Sequence, residues 1–505
     1  MKHTTVLILL AFTSSAWAGP VTSQAAQPAA PFCDAALYQS PPTATARLSA
    51  PGVSALKIML PPTVQRPQQL TTGSDTEALQ IGYVLAAPAH LLETASWQPA
   101  PDGGSVLKVE IASPNAGGLR IQLAGLGGTG IEVRPYAPGS GAVFGPYLIP
   151  AGGDPAGWWS PMVFGDTLGL EFHLPAGQMM PLIAPAITSI VYAGCNNGCS
   201  VGPGATLNCH LDSTCYPAWA GEATGVAKMV FQDTGGCFLC SGSMLNRSAG
   251  DNSPLFLTAN HCVNNQAAAN TVEFLWFYQT PSCNGVPPDP NTVPCTLGSL
   301  LLKNHGFYDC SLIGLYNAPP GGVQYEGWST AAWGTGDAVA GIHHPRGSWK
   351  RISFGTFSDS GVRNYKDNGS TISVSVWLVD YGQGTVEPGS SGSPLFDSSH
   401  RVRGPLTGGP GGCTPSGVGY GRFDLAYDTL SPFLNSVPSP VYVSPGGGGG
   451  QRGTNAEPLP SVFAGMYSVK AGDTVVANAG VYPERETLFR PMRITAQGGN
   501  VRIGG

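Results

Sequence analysis

The sequence predicts an all-β protein, and three observations carry that expectation. Glycine and proline are abundant, with 70 Gly and 46 Pro in 505 residues, which favours a turn-rich chain over helical bundles. Short segments alternate apolar and polar residues with the period of a half-buried strand. No amphipathic run matches the helical period over more than about three turns. The length allows two or three domains. Charged residues make up only 11% and the formal net charge is -6. Neither a basic stripe for nucleic acid nor a long acidic block is present.

Residues 1–18 read as a secretory signal: Lys2 and His3 start it, Val6 to Phe12 is apolar, and Ala16-Trp17-Ala18 suits cleavage before Gly19. That run is too short to span a bilayer. No later stretch reaches about 18 apolar residues, so no membrane contact is expected after cleavage. Twelve cysteines then read as a disulfide framework in an oxidising compartment. Cys237 and Cys240 form C-x-x-C, but no second such pair lies at zinc-finger spacing. Neither metal nor other cofactor is expected.

Residues 19–51, rich in Ala, Pro, Ser, Thr and Gln, read as a leader or linker. Residues 52–193 read as a β-sandwich. Its strand candidates are residues 107–111, 119–123, 131–136, 158–163 and 168–174, separated by Gly and Pro clusters. His173 alternates within the last of them and is expected to be structural. Glycines at 194, 198, 202 and 204 mark residues 194–208 as a connector. Residues 209–437 form a further β domain with strand candidates at 227–231, 241–245 and 274–278. Residues 438–456 are a Pro/Gly-rich linker by composition. Residues 457–505 read as a small β module, in which Gly480 to Arg485 resembles the opening turn of a right-handed β-helix. One or two coils cannot bury a solenoid core.

Three stretches of the 209–437 region carry chemistry. Glu387-Pro388-Gly389-Ser390-Ser391-Gly392 sets a serine between glycines just before the apolar Leu395-Phe396. Such a turn lets a substrate carbonyl approach and aims backbone N–H groups at one point. Thr258-Ala259-Asn260-His261-Cys262 follows the apolar Leu255-Phe256-Leu257, placing His261 at a strand end. Asp309 opens the apolar run Cys310 to Leu315. Taken singly, each has a bland reading: a common Gly-Ser turn, a structural histidine, a turn aspartate. Together, in the chain order His, Asp, Ser, they match a chymotrypsin-type triad; subtilisins and α/β-hydrolases use other orders. Paired glycosidase carboxylates are not evident, and His343-His344 beside Pro345 reads as structure.

These segments, with Gly341-Ile342-His343-His344-Pro345, Lys350-Arg351-Ile352-Ser353 and Tyr420-Gly421-Arg422, resemble the lysyl endopeptidases, secreted serine proteases of the chymotrypsin class. The resemblance runs from about Cys209 to Leu434. It implies a chymotrypsin-like double β-barrel preceded by a β-sandwich prodomain, acting as a secreted monomeric endopeptidase on protein or peptide substrates. It implies catalytic His261, Asp309 and Ser391, with the Gly389 and Ser391 N–H groups as oxyanion hole. It pairs Cys209 with Cys413, Cys215 with Cys283, and Cys240 with Cys262; Cys295 and Cys310 are a further candidate pair. Cys33, Cys195, Cys199 and Cys237 stay unassigned.

The departures concern specificity. Thr385, Thr407, Gly408, Gly409 and Val418 fall at the substrate-binding positions. Lysyl endopeptidases carry an Asp just upstream of the Tyr-Gly-Arg word, where this chain has Val418. Glu387 is near enough to be weighed as a substitute acid. Ser390 stands where trypsins keep the Asp that pairs with a new N-terminus, so activation is not expected to use that ion pair. The expectation is an endopeptidase without lysine specificity. The alternatives are a catalytically impaired binding module that keeps the protease fold, or a glycan-binding adhesin, suggested by the β-sandwich and the β-helix-like tail.

Overall fold

The structure is a computed structural model describing residues 47–60, 78–149, 157–181, 185–194, 206–248, 250–367, 370–435, 437–484, 488 and 490–504. The signal segment, Cys33, Cys195 and Cys199 lie outside the described residues.

The N-terminal region is two packed β layers. Leu56–Met59, Ser105–Ala112, Thr167–Leu174, Glu132–Tyr136 and Tyr147–Leu148 lie in that order in one sheet, with Gln98–Pro99 at the side of Ser105–Ala112. The other layer runs Leu79–Ala86, Ala186–Ala193, Gly118–Ala124 and Trp158–Trp159, with Val163–Phe164 also on Gly118–Ala124. Alternating residues such as Val109, Ile111, Ile121, Leu123, Leu170 and Phe172 interdigitate between the layers. His173 is buried between Glu132 at 3.0 Å and Asp102 at 3.1 Å, a satisfied structural histidine.

The second layer does not end at its own edge. Leu79–Ala86 pairs antiparallel with Gly236–Leu245, in the register Leu79↔Leu239 and Tyr83↔Gly236. One sheet therefore runs from the N-terminal region into the next domain. Ile81, Met162 and Val191 share a core with Val230, Leu239 and Tyr278. Arg120 points into this junction. Its guanidinium donates to Gln232 Oε1 (2.9 Å), to Thr271 O (2.8 Å) and to Ser160 O. From the other side, Glu273 accepts the Met162 N–H at 2.9 Å.

The first barrel is built from Val226–Asp233, Gly236–Leu245, Leu255–Thr258, Glu273–Leu275, Cys295–Leu297, Ser299–His305 and Cys310–Leu315. The expected strand over 274–278 stops at Leu275 because Phe277 takes a positive φ of 56°. The second barrel closes on itself. Arg351–Asp367, Ala338–His343, Pro394–Asp397, Val402–Gly408, Val418–Gly421 and Ser370–Gln383 pair in turn, and the last pairs back to the first.

Disulfides join Cys209 to Cys413, Cys215 to Cys283 and Cys240 to Cys262. The further pair Cys295–Cys310 does not form, and both are buried thiols. Cys295 packs in the N-terminal region's core, whereas Cys310 lies in the core beneath the first barrel and donates to Tyr308 O at 3.2 Å.

Residues 438–456 are not simply a linker. Val441–Val443 is a strand parallel to Thr474–Tyr482, which is parallel in turn to Arg493–Ile503. Val441, Val443, Phe463, Met466 and Tyr467 join Leu255, Leu257 and Leu312 of the first barrel in one core with Phe423, Leu430 and Phe433. The last three are spaced along the helix Phe423–Leu434, whose apolar stripe faces that core. The helix Val462–Ser468 is capped at both ends. The Ser461 side chain accepts the Ala464 N–H, Glu484 accepts the Val462 and Phe463 N–H groups, and Arg247 donates to the carbonyls of Tyr467, Ser468 and Val469. Arg247 belongs to the first barrel's strand connection and is fully buried.

Candidate active site

The strand Leu255–Thr258 is buried along its whole length and pairs with Cys310–Leu315. That pairing brings the chain ends beyond them together: His261 after the first, Asp309 before the second. Asp309 sits in the left-handed region at φ 48° and ψ 44°, which ends the turn Gly306–Tyr308 and aims its carboxylate at the His261 segment. Asp309 Oδ2 lies 2.9 Å from His261 Nδ1, and Oδ1 accepts the His261 backbone N–H, also at 2.9 Å. With Nδ1 donating to a carboxylate, Nε2 is left as the basic nitrogen. The Cys240–Cys262 disulfide fixes the residue next to His261 to the neighbouring strand.

Ser391 lies at the end of a tight turn ahead of Pro394–Asp397. Gly389 has φ 94° and Gly392 φ 81°, conformations that side chains with a Cβ rarely adopt. Close packing also excludes a side chain at 392. A Cβ there would stand 2.2 Å from Thr258 Oγ1 and 3.0 Å from Ala259 N. The serine turn is therefore backed directly onto the strand end that leads into His261. On the other flank, a Cβ on Gly421 would be 2.3 Å from Tyr308 O, so the second barrel also abuts the Asp309 turn.

Several residues that sequence reasoning had not assigned support this turn. Ser241 Oγ donates to Gly389 O at 2.9 Å and itself accepts the His344 N–H at 3.0 Å, while the Ser241 N–H donates to Ser391 O at 2.8 Å. Ser390 Oγ is 2.7 Å from His343 Nδ1 and accepts the Glu387 N–H at 3.3 Å. Burial, with His210, His344 and Arg351 nearby, holds His343 well below the ordinary imidazole range, so it is neutral. Its Nδ1 accepts the Ser390 hydroxyl proton. Its Nε2–H faces Ser353 Oγ at 3.3 Å, and Ser353 donates on to Thr385 O at 2.8 Å. A neutral chain of hydrogen bonds thus runs from Ser390 through His343 and Ser353 to Thr385. The Gly341–Pro345 and Lys350–Ser353 words were the only sequence signal for it.

At the expected substrate positions, Thr385 is fully buried, with its hydroxyl donating to Gly412 O. Thr407 and Gly408 end the strand Val402–Gly408, and Gly408 pairs with Gly419. Val418 is buried. A Cβ on Gly409 would meet its Cα at 3.0 Å and its Cγ2 at 3.2 Å, so Val418 stands directly behind the Gly408-Gly409 segment. Glu387 is not a substitute acid at these positions. Its carboxylate is committed to His210 Nε2 at 2.8 Å and to the Leu207 N–H at 3.0 Å.

Residues 203–423 match the lysyl endopeptidase C-terminal domain, and residues 55–187 match the lysyl endopeptidase N-terminal domain. A lysyl endopeptidase of Pseudomonas aeruginosa is 32% identical over 441 residues, covering 81% of this chain and 92% of the relative. Among solved structures, the active form of a protease from M. tuberculosis is 16% identical over 45% of this chain and 92% of its own, with a TM-score of 0.31. A serine endoprotease from Yersinia pestis is 18% identical over 42% of this chain, which spans 64% of that one, with a TM-score of 0.30. On the extent of its match to the Pseudomonas enzyme and to both domain descriptions, the chain belongs to the lysyl endopeptidase family and is a serine endopeptidase.

Proposed function

We propose that this chain is a secreted, monomeric endopeptidase in which Ser391 attacks the scissile carbonyl, with a preference for uncharged residues before the cut. His261 Nε2 takes the Ser391 hydroxyl proton, Asp309 stabilises the resulting imidazolium, and the Gly389 and Ser391 N–H groups hold the tetrahedral oxyanion. The proton then passes to the leaving amine, and water releases the acyl group by the same route. The observation that carries this reading is the double grip of Asp309 on His261, with the serine turn packed against the same strand end.

The preference rests on Val418. A lysine ammonium desolvated against the valine side chain, which offers no counter-charge, costs several kcal/mol. An apolar side chain gains about 1.5–3 kcal/mol from burial. Residues 1–18 act as the export signal and 52–193 as a prodomain in this reading, with the protease proper at 209–437. The three disulfides among the described residues are in keeping with an oxidising destination.

The test is cleavage of a peptide library by the purified secreted protein, beside Ser391→Ala. Wild type is expected to cut and to be labelled by a fluorophosphonate at Ser391, and the variant to do neither. A variant that cuts like wild type removes Ser391 as nucleophile.

A further inference from the structure

Each residue from Glu387 to Ser391 is pinned by a partner outside the turn. Pro388 O accepts the Arg346 N–H at 2.7 Å, Gly389 O the Ser241 hydroxyl at 2.9 Å and Ser391 O the Ser241 N–H at 2.8 Å, while Ser390 is bonded to His343. Four of the five anchors thus come from Ser241 and from the loop beginning at His343. The fifth comes from far away in sequence. Glu387 is held by Leu207 and His210, from the segment just before the first barrel.

This contact is a built one. The His210 side chain is 1% exposed and that of Glu387 11%. His210 leans on the His343 ring at a centroid distance of 5.5 Å. Next to it, Cys209 is bonded to Cys413, and the neighbouring Gly412 O accepts the Thr385 hydroxyl. Arg346 Nη1 stands 3.9 Å from the other Glu387 oxygen. Burial alone would raise the Glu387 carboxyl, but bonds from His210 and Leu207 and the charge of Arg346 hold it below its ordinary value. It is an ionised acceptor, and charge-assisted bonds of this kind are the stronger class.

We propose that Glu387 and His210 are positioning residues for the oxyanion turn, linking the convergence of the Gly389 and Ser391 N–H groups to the chain segment 207–210. This rests on the reading of Ser391 as nucleophile. The link is made with His210 inside the chain, so the turn is set without a newly cut N-terminus.

Losing a whole oxyanion donor costs about 100- to 1000-fold in kcat, and a loosened turn is expected to cost about tenfold or more. The experiment titrates active sites with a fluorophosphonate and measures kcat per titrated site and KM on a peptide amide. His210→Ala and Glu387→Ala are expected to lose about tenfold or more in kcat per site, with KM within about threefold. The double variant is expected to be no worse than the poorer single one. His210→Gln, which keeps a side-chain N–H donor, is expected to recover most of the loss. Unchanged kcat per site, a loss explained wholly by fewer titrating molecules, or losses that multiply in the double variant would overturn the proposal. Should the alanine variants not fold, the isosteric Glu387→Gln decides: a loss of about threefold or more supports the link, and wild-type kcat overturns it. Failure of wild type to label at Ser391 would instead remove the catalytic reading itself.

Discussion

Asp309 grips His261 twice, through Nδ1 and through the backbone N–H, each at 2.9 Å. The two bonds fix both the position of the residue and the orientation of its ring, so the carboxylate determines which ring nitrogen carries the proton. In Asp309→Asn an amide N–H can face Nδ1 and push the proton to Nε2, where the imidazole can no longer accept from Ser391. The variant is expected to keep its fold and lose about 10,000-fold in kcat near neutral pH, as this change does in trypsin-type triads. Steady-state kinetics beside a thermal melt read both. A loss under tenfold would remove Asp309 from the proposed triad.

The pocket prediction follows from Val418 standing behind Gly409. On matched peptides differing only at the residue before the cut, lysine is expected to be disfavoured by about tenfold or more, equivalent to about 1.4 kcal/mol. Val418→Asp is expected to shift the ratio toward lysine and arginine. A clear lysine preference in wild type would show that an acid from elsewhere reaches the pocket.

Arg120 joins the N-terminal region to the first barrel through Gln232 and Thr271 while 1% exposed. Arg120→Ala leaves those acceptors without their donor and removes one of the two cations, Arg120 and Lys228, that act on the buried Glu273. It is expected to cost about 3–5 kcal/mol of unfolding free energy, and Arg120→Met clearly less. Denaturant melts of the full chain measure this, and an unchanged midpoint for Arg120→Ala would refute it.

Lys228 is buried under the Gly347 carbonyl at 2.9 Å, and desolvation lowers it to about 7 against the attraction of Glu273. The unfolded chain, with the ordinary value of 10.5, binds more protons than the folded one between those values. This group's contribution to unfolding free energy therefore rises with pH from about 7 upward and is constant below that range. Lys350 behaves in the same way. The unfolding free energy of wild type minus that of Lys228→Met is expected to rise between pH 7 and 9. A difference independent of pH would show that Lys228 titrates normally.

The C-terminal segment lies in the protease core, and the end of its helix Val462–Ser468 supplies the carbonyls to which Arg247 donates. Deleting residues 437–505 would expose Leu255, Leu257 and Phe433 and strand a buried guanidinium. Loss of folded, secreted protein is expected, in contrast to a module hung on a flexible linker. A truncated enzyme with the wild-type melting temperature would refute this.

Much of the chain was legible locally. Strands such as Ser105–Ala112 and Thr167–Leu174 follow from alternation, because side-chain direction repeats every two residues whatever the strand later packs against. The candidates His261, Asp309 and Ser391 stand out as short words in a fixed order, because strand ends and glycine turns are local structures. What the sequence could not determine are the partners brought in by packing. Arg120 alternates like a water-facing residue, yet the second domain covers it. Cys295 and Cys310 suggested a bond, but belong to different cores. Val441 and Val443 adjoin a glycine run and are nevertheless fully buried. Glu387 suggested a pocket acid, and its hydrogen-bond partner proved to be His210, 177 residues earlier in the chain. Periodicity and turn chemistry depend on neighbours along the chain, whereas burial and the pairing of charges depend on which surfaces meet, and only the tertiary structure decides that.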